Sequence, residues 1–536
     1  MKLLLDSEEA RSLDSYTSRH TGVPSLCLME RAALSAADYI SNLAKKRPLI
    51  REEGVFVLSG TGNNGADGIA AARILLQRGF RCEVLAVGDP ARTTEQWKIQ
   101  RKIYTELGGT LSFAGENPVI PRGFAVYADA LFGVGLSRPV EGRAAEAIGS
   151  FNAAVRETPG AEAIALDIAS GVSASDGKVL GTAVRADATV TFGPGKLGLY
   201  LYPGALYSGR VIGAEIGLDE DGWLKSRRDT SFQGAADVPA RPPVQALDLL
   251  SAAGLLPARK PDGNKGTFGT VLVISGAAGM AGAAFLASRA ALNAGAGLVR
   301  TVTSEKNRLV LQTLVPEAVM AGTLEDQSGL AELVSGASAI VIGPGLSRGP
   351  EARAALRTVL ELHGDIPAVI DADALNLLSE KESLPLLGPS CVLTPHPGEL
   401  ARLLHTDTRT VLAEGIRGCA EKLARQTGAL VAAKDARTWV VTADQEYLNL
   451  TGNDGCATGG SGDVLAGLTG GLLAGGAEPA KAVPAAVYFH GLAADLAAQA
   501  AGKRGMTSRD LLEKIPEALR SGDQCLSERT EINHGL

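Results

Sequence analysis

The chain has 536 residues, of which 45% are hydrophobic, 21% are charged and 65 are glycine. A chain of this length is too long for a single hydrophobic core, so we predict at least two domains. The composition is typical of a compact α/β enzyme rather than of a disordered protein. The net charge of -7 and the aromatic content of 4% argue against nucleic-acid binding and against an electrostatic role at a membrane surface.

Short apolar runs alternate with helix-length segments along most of the chain. The runs lie at 55–59, 82–87, 125–129, 163–167 and 188–192, and then at 270–275, 339–343, 368–373, 391–395, 429–434 and 438–442. This alternation predicts parallel sheets with helices on both faces. We predict an α/β domain over residues 1–220, a linker over 221–244, a larger α/β domain over 245–520 and a tail over 521–536.

The first run is followed by the glycine-rich segment "GTGNNGADG", residues 60–68. Gly60, Gly62 and Gly65 satisfy the G-x-G-x-x-G pattern of a dinucleotide-binding turn, so a dehydrogenase with Asp89 as its ribose acid is one alternative. The polar residues Asn63, Asn64 and Asp67 within the same segment argue against a plain pyrophosphate turn.

Polar side chains also follow two other predicted strands of this half, with Asp129 in "DALFGVGL" and Asp167 and Ser170 in "DIASGV". Because ligands bind beyond the carboxyl ends of parallel strands, we expect these groups to converge with Asn64. Amide, carboxylate and hydroxyl oxygens are hard donors that suit an alkali or alkaline-earth cation. The alternative is that each acid caps the helix that follows it.

These segments, together with "TFGPGKLGL" at 191–199, resemble the epimerase domain of NAD(P)H-hydrate repair enzymes, which has a Rossmann-like doubly wound fold. The resemblance implies a potassium ion held by Asn64, Asp129 and Ser170. It implies substrate contacts from two segments and one acid, namely Asn63, Asn64, Gly65, Ala66, Asp67, Gly133, Val134, Gly135, Leu136, Ser137, Arg138, Pro139 and Asp167.

The family reaction inverts the hydroxyl-bearing carbon six of hydrated nicotinamide, and we assign Asp167 as its catalytic acid/base. Three positions depart from the family pattern without removing a side-chain ligand. They are Ala66, Val134 and Ala169, which stand where glycine, threonine and proline are usual.

In the second half, "ATGGSGD" precedes an apolar helical stretch and places Asp463 beside a glycine-rich turn. Amides at the start of a helix can hold a phosphate, and an acid beside them can take the proton from a hydroxyl that attacks it. The alternative is an aspartate that only caps the helix. Other strand ends supply His396 and Glu399 in "TPHPGE", and Lys434 and Thr438 in "KDARTWV".

The segments "KGTFGTVLVISG", "GMAGAA", "GPGL", "HPGE" and "ATGGSGDVLAG" resemble the dehydratase domain of the same repair enzymes, which has a ribokinase-like α/β fold. The resemblance implies substrate contacts from Ala283, Gly345, His396 and Asp463. It implies nucleotide contacts from Lys434, Asp435, Ala436, Arg437, Thr438 and Gly462. Asp435 replaces a small residue and Asn264 a frequent histidine, and an added carboxylate near a diphosphate would be repulsive unless it turns away or helps to hold magnesium.

The sequence as a whole therefore predicts a bifunctional NAD(P)H-hydrate repair enzyme. The first domain would equilibrate the two epimers of hydrated NADH and NADPH, and the second would dehydrate the S epimer with Asp463 as catalytic base. The resemblance implies K⁺ in the epimerase domain, Mg²⁺ in the dehydratase domain, ADP as co-substrate and a homo-oligomer, a tetramer or larger. A ribokinase-like kinase for a vitamin precursor, or an N-terminal domain that only binds a nucleotide, are the alternatives.

The compartment predicted from the sequence is the cytoplasm, with no nucleic-acid or membrane partner. The six cysteines form no CxxC pair, so they indicate neither a zinc site nor a disulfide framework. No signal-peptide core and no apolar run long enough for a bilayer are present.

Overall fold

The computed structural model describes residues 1–228, 242–380 and 384–534. The chain divides into two compact units, one formed by Leu3–Pro243 and the other by Val244–Leu536 together with Met1–Lys2. The strands of the N-terminal unit are β1 (Lys2–Leu5), β2 (Val55–Ser59), β3 (Cys82–Ala86), β4 (Thr110–Phe113), β5 (Val126–Ala130), β6 (Glu162–Leu166), β7 (Ala188–Phe192), β8 (Gly195–Lys196) and β9 (Arg210–Ala214).

Seven of these strands form one parallel sheet in the order β4, β3, β2, β5, β6, β7, β9. The chain therefore moves outward from β2 in one direction and then returns to continue from β5 in the other. This is the strand order of a doubly wound Rossmann-like sheet, and its switch point between β2 and β5 is where such sheets bind ligands. The short strands β1 and β8 pair with each other.

Helices cover both faces of this sheet, which explains the continuous apolar runs in its strands. Val55 and Val57 pack into an apolar cluster with the helices on one face, whereas Phe56 and Leu58 pack with Phe151 and its neighbours on the other. The helices are α1 (Ser7–Thr21), α2 (Ser25–Lys46), α3 (Ile50–Glu53), α4 (Asn63–Gln77), α5 (Glu95–Glu106), α6 (Gly142–Glu157), α7 (Ala205–Ser208) and α8 (Glu220–Arg228), with short 3₁₀ turns at Pro90–Arg92 and Leu197–Leu199.

The C-terminal unit is a second, mainly parallel α/β structure. Its strands are β10 (Val244–Ala246), β11 (Thr270–Ile274), β12 (Leu298–Thr303), β13 (Val319–Thr323), β14 (Ala339–Ile342), β15 (Ala368–Ile370), β16 (Cys391–Leu393), β17 (Leu430–Ala433), β18 (Trp439–Val441) and β19 (Glu446–Leu448). They lie in the order β13, β12, β11, β14, β15, β16, β17, β18, β19, β10, and β18 runs antiparallel to both of its neighbours.

The helices of this unit enclose a large apolar core. They are α9 (Leu249–Ala253), α10 (Ala281–Asn293), α11 (Arg308–Leu314), α12 (Leu330–Ser335), α13 (Pro350–Leu362), α14 (Ala372–Ser379), α15 (Pro397–Leu403), α16 (Thr408–Glu414), α17 (Ile416–Thr427), α18 (Ser461–Ala474), α19 (Pro479–Ala501) and α20 (Ser508–His534), with 3₁₀ turns at Glu305–Asn307 and Asp454–Cys456. Within the described ranges, none of the helices has both the length and the apolar run that a bilayer span requires.

Helix α18 lies unusually close to its neighbours because glycines stand at the contacts. A Cβ atom on Gly467 would lie 2.1 Å from the carbonyl oxygen of Ala287 on α10, and one on Gly470 would lie 2.3 Å from a methyl group of Val341 on β14. Helix α18 is therefore fixed between a second helix and the sheet, and its first turn is held in place at the strand ends.

All eleven predicted strands are present within one or two residues of the expected bounds, except that the run at 368–373 ends as a strand at Ile370 and continues as helix α14 from Ala372. The predicted α/β fold of both halves is confirmed. The sequence missed strands such as β4, whose exposed and half-buried residues do not form an apolar run, and β12, which follows an alanine-rich helix without a break in hydrophobicity.

Two segments that were predicted to lack regular structure contain helices. Residues 221–228 of the predicted linker belong to α8, whose Trp223 is fully buried, and residues 229–241 lie outside the described residues. The predicted tail at 521–536 continues helix α20 as far as His534, and residues 535–536 are not described.

Replacement of Gly467 by alanine should destabilise the C-terminal unit, because the added methyl group has no room beside Ala287. Overpacking of this kind costs about 1–3 kcal/mol, which chemical denaturation of the full chain would measure. Gly418→Ala is the matched control, since Gly418 lies in helix α17 with open space at its Cβ position. We expect that change to be neutral or stabilising by up to about 1 kcal/mol, and equal effects of the two changes would contradict the packing argument.

Candidate active sites

The N-terminal unit has a cavity of about 980 Å³ at the carboxyl ends of β2 and β5, a volume that suits a large organic ligand. Most of the predicted substrate contacts line it, namely Asn63, Asn64, Asp67, Gly133, Val134, Gly135, Leu136, Ser137, Arg138 and Asp167. The structure does not bring the remaining three into the wall. Gly65 and Ala66 are buried, and Pro139 is not one of the lining residues.

The glycines after β2 act mainly by allowing close packing. A Cβ atom on Gly60 would lie 2.0 Å from the carbonyl oxygen of Leu131, and one on Gly65 would lie 2.0 Å from the carbonyl oxygen of Gly60. Gly62, by contrast, has open space at its Cβ position and lines the cavity. The glycines of the G-x-G-x-x-G pattern thus allow the start of α4 to pack closely against β2 and against the segment after β5.

The three predicted potassium ligands belong to one hydrogen-bonded group, in which Asn64 lines the cavity. The fully buried carboxylate of Asp129 accepts hydrogen bonds from the hydroxyl and the amide of Ser170, at 2.6 and 2.7 Å. The Asn64 side chain donates to the carbonyl of Phe132 at 3.0 Å, but its own oxygen, Oδ1, is buried without a hydrogen-bond partner. Burial raises the pKa of Asp129 to about 6 despite the hydrogen bonds that favour its charge.

Asp167 occupies the cavity wall in a strained backbone conformation, with φ at 67°. Its Oδ1 atom accepts hydrogen bonds from Lys196 Nζ at 2.5 Å, from the amide of Phe192 at 3.2 Å and from the hydroxyl of Thr191 at 3.4 Å. The side chain of Lys196 is 4% exposed. A buried lysine paired with an acid in a cavity is a candidate functional group.

Sequence reasoning missed Lys196 and Asp14 at this site. Lys196 lies within the segment at 191–199 that carried the resemblance, so a lysine between two glycines in that segment was an available signal. Asp14 belongs to helix α1 and lines the cavity, and no pattern in the sequence connects it to the glycine-rich segments.

In the C-terminal unit, three neighbouring parallel strands each end in a residue of one polar cluster. Asp371 follows β15, Thr394 follows β16 and Lys434 follows β17. Asp371 Oδ1 accepts hydrogen bonds from the Thr394 hydroxyl and from Lys434 Nζ, both at 2.7 Å. Asp371 was not predicted as a site residue, although an acid directly after a buried strand was a signal for it.

Asp463 lies in the first turn of α18, beside this cluster. A Cβ atom on the preceding Gly462 would lie 3.3 Å from Lys434 Nζ and 3.7 Å from Asp371 Oδ2, so the glycine turn and the lysine are adjacent. Burial and the negative charge of Asp371 raise the pKa of Asp463 to about 7, while Lys434 opposes the shift. Asp463 can therefore change its protonation state near neutral pH, as a general base must.

His396 caps helix α15 and is held by Glu399. The amide of His396 donates to Glu399 Oε2 at 2.9 Å, and the amide of Gly398 donates to His396 Nδ1 at 3.0 Å. Burial and the charge of Lys434 lower the pKa of His396, whereas burial raises the pKa of Glu399 to about 7. The imidazole is therefore neutral at pH 7 and part of the same charged cluster as Lys434.

The other two predicted substrate contacts, Ala283 and Gly345, touch each other. A Cβ atom on Gly345 would lie 2.8 Å from the Cβ atom of Ala283. Two residues further on, Ser347 donates its amide to Asp373 at 2.8 Å, and Asp373 is among the charges that act on Asp463. Ala283 and Gly345 are thus linked to Asp463 through the charge of Asp373.

The predicted nucleotide-binding segment begins at Lys434 and continues at the surface of the unit. Asp435 and Ala436 are exposed, while Arg437 donates to the carbonyl of Leu450 at 2.8 Å and Thr438 is half-buried. Because Asp435 is exposed to solvent, the repulsion expected from its carboxylate beside a diphosphate is reduced.

A Rossmann-like unit with an acid in its cavity and an α/β unit with a carboxyl group at a glycine-rich helix start are typical of a two-domain enzyme that acts on small molecules. Comparison with known proteins identifies the family to which this enzyme belongs. Residues 271–517 match the family described as NAD(P)H-hydrate dehydratase, and residues 25–198 match the family described as YjeF-related protein N-terminus.

The bifunctional NAD(P)H-hydrate repair enzyme Nnr of Moorella thermoacetica is 36% identical over 97% of both chains. The enzyme of the same name from Coxiella burnetii is 34% identical over 96% of this chain and 99% of its own. The ADP/ATP-dependent NAD(P)H-hydrate dehydratase of Bacillus subtilis, crystallised with ATP and Mg²⁺, is 30% identical over 52% of this chain and 99% of its own, with a TM-score of 0.47.

The chain belongs to the family of bifunctional NAD(P)H-hydrate repair enzymes. The family predicted from the sequence is confirmed, and with it the isomerase and lyase classes of its two domains.

Proposed function

We propose that the N-terminal unit interconverts the R and S epimers of hydrated NADH and NADPH, and that the C-terminal unit dehydrates the S epimer while ADP is converted to AMP and phosphate. The observation that carries this proposal is the position of Asp463, at the start of a helix and beside Lys434, in a chain related to repair enzymes over nearly its full length.

The dehydration follows from the chemistry of leaving groups. Hydroxide leaves carbon poorly, whereas phosphate leaves readily. Asp463 would take the proton of the substrate hydroxyl, so that the oxygen attacks the terminal phosphoryl group, and the amides near Gly462 with Lys434 would stabilise the transferred charge. Loss of phosphate and of the proton on the neighbouring carbon then restores the dihydronicotinamide.

The nucleotide would bind along Lys434–Thr438 and at Gly462, with its phosphates towards the start of α18. Among the described residues, no group of three acidic, histidine or cysteine side chains could hold a metal ion by itself. Mg²⁺ accordingly fits as an ion that enters with the nucleotide, since it is usually held by one or two carboxylates together with phosphates. It would neutralise charge on those phosphates.

The residues around Asn64 fit a potassium ion. The unpartnered Asn64 Oδ1 is buried, and the carbonyl of Phe132, the carboxylate of Asp129 and the hydroxyl of Ser170 belong to the same hydrogen-bonded group. All four are oxygen donors of the kind that alkali ions require. When bound, the ion would offset the buried charge of Asp129. It would also fix the position of the residues at the base of the cavity in which Asp167 acts as acid/base.

A cytoplasmic location and a homo-oligomer of four or more copies are further proposals. The location is inferred from the cysteine pattern, and the oligomer from the family relationship alone.

Purified chain should restore the absorbance of reduced nicotinamide when given hydrated NADH and ADP, and release one phosphate for each NADH formed. Asp463→Asn should lower the dehydration rate by about 100-fold or more, since the base is lost, without changing epimerisation. Asp523→Asn, which changes an exposed acid on α20, is the control. A phosphorylated substrate that accumulates with the nucleotide consumed would instead identify a kinase.

The dehydration rate should rise with pH through about 7, because Asp463, with its pKa raised to about 7, works as a base only when ionised. Asp371→Asn removes the negative neighbour that helps to raise this pKa, so the rising limb of kcat against pH should move to lower pH. Asp365→Asn, an exposed acid of the same unit, should leave the limb in place. If the rising limb of kcat stays at the same pH or moves to higher pH in the Asp371→Asn variant, the effect of Asp371 on the pKa of Asp463 is contradicted.

Potassium should raise the Tm of the N-terminal unit within the full chain relative to a choline salt of equal strength. A ligand at 100 times its Kd stabilises a protein by about 2.7 kcal/mol. Asn64→Ala should remove this potassium-dependent shift while folding is retained in choline. An unchanged potassium shift in that variant would place the ion elsewhere.

A further inference from the structure

The cavity of the N-terminal unit contains two carboxyl groups in contrasting surroundings. Asp167 accepts all three of its hydrogen bonds on Oδ1, from Lys196, Phe192 and Thr191. Its other oxygen, Oδ2, accepts none from the described residues. All three donors lie on one oxygen, so Oδ2 is left available to take a proton from a ligand in the cavity.

Asp67 stands on the second turn of α4 and lines the same cavity. No hydrogen bond or ion pair to its carboxyl group is found among the described residues. The charged groups that act on it are Asp167, Asp14 on helix α1 and Lys196. Two of these three are like charges, which disfavour a second ionised acid in the cavity.

Lys196, the single cation among these three groups, has no N–H bond left to donate to Asp67. An ammonium group has three N–H bonds, and those of Lys196 are directed to Asp167 at 2.5 Å, to the hydroxyl of Thr191 at 3.1 Å and to the carbonyl of Phe192 at 2.7 Å. Burial and the charges of Asp167 and Asp14 hold the pKa of Asp67 well above its usual range. Of the two acids, Asp67 is therefore the one disposed to hold a proton, whereas Asp167 contacts a cation and a backbone amide.

Two acids in contrasting surroundings within one cavity are the usual basis of paired acid and base roles. From their contacts we infer that Asp67 is the proton donor of the epimerisation and Asp167 the proton acceptor. This inference rests on the epimerase activity proposed above, and it gives Asp67 a catalytic role where the resemblance gave it only a substrate contact.

The reaction can be written with these two groups alone. Asp167 Oδ2 takes the proton of the hydroxyl on carbon six, the bond from carbon six to the ring nitrogen breaks, and its electron pair goes to the nitrogen, which takes the proton of Asp67. The product is an open-chain aldehyde. After rotation, the nitrogen attacks the other face of the aldehyde and returns its proton to Asp67, while Asp167 returns its proton to the oxygen. Both acids end as they began, with carbon six inverted.

Lys196 acts through Asp167 in this scheme and is a positioning residue. Its contacts with Thr191 and Phe192 at the end of β7 also fix where the ammonium lies, so Lys196 in β8 is held against Asp167, which follows β6.

The test is the conversion of the pure R epimer to the S epimer by the full chain without nucleotide, followed by chromatography and corrected for the spontaneous rate. Asp67→Asn keeps the shape and polarity of the side chain but cannot donate a proton in this way. We expect its kcat to fall about 100-fold or more, with KM within about twofold of the unchanged protein. Asp67→Glu, which keeps an acid, should be at least about tenfold faster than Asp67→Asn.

Dehydration of the S epimer with ADP by the same variants serves as the internal measure of folding, and Asp38→Asn, an exposed acid on α2, is the matched control. A raised KM with an unchanged kcat in Asp67→Asn would reduce Asp67 to a binding residue and overturn the inference. So would a glutamate variant no faster than the asparagine variant. If the unchanged protein does not accelerate epimerisation at all, it is the proposed activity that fails.

Discussion

Both sites depend on the close approach of a helix start to the ends of parallel strands, which is possible only where a side chain is absent. In the N-terminal unit, Gly60 and Gly65 let the start of α4 settle against β2 and the segment after β5. In the C-terminal unit, Gly467 and Gly470 let α18 lie against α10 and β14. Since backbone amides at a helix start are fixed in direction once the helix is fixed, this packing sets where a ligand can be held.

In addition, each unit places one lysine against one acid near the carboxyl ends of its strands, and this lysine is buried in the N-terminal unit and half-buried in the C-terminal unit. Lys196 is paired with Asp167, and Lys434 with Asp371. A buried pair of this kind costs much of what it gains in folding free energy, so its retention is better explained by what it does to its neighbours. In each site a further acid remains outside the pair, Asp67 in one and Asp463 in the other, and its pKa is raised.

The sequence was sufficient for the fold class and for the residues that glycine-rich motifs carry. The strands β2, β3, β5, β6 and β7 are short apolar runs, and Asp463 is marked by the turn that precedes it. The sequence did not reveal Asp371, because an acid after a strand is common and only the sheet order shows that Thr394 and Lys434 end beside it. It did not reveal the role of Lys196 either, since the contact with Asp167 joins residues 29 positions apart.

Helix α8 and the extension of α20 illustrate a different limit, since a polar segment with few apolar residues can still form a helix when one side chain, such as Trp223, is buried.

The N-terminal helix α1 is also part of the functional site of the first unit. The family match begins at residue 25, yet Leu5, Leu13 and Asp14 belong to the wall of the cavity, and Leu5 is paired in β1 with Lys196 in β8. The wall of the cavity therefore includes residues that lie before the segment matched by the family model. A change in the size or charge of a residue such as Asp14 in this helix would alter the shape and charge of the cavity without changing any motif by which the family is identified.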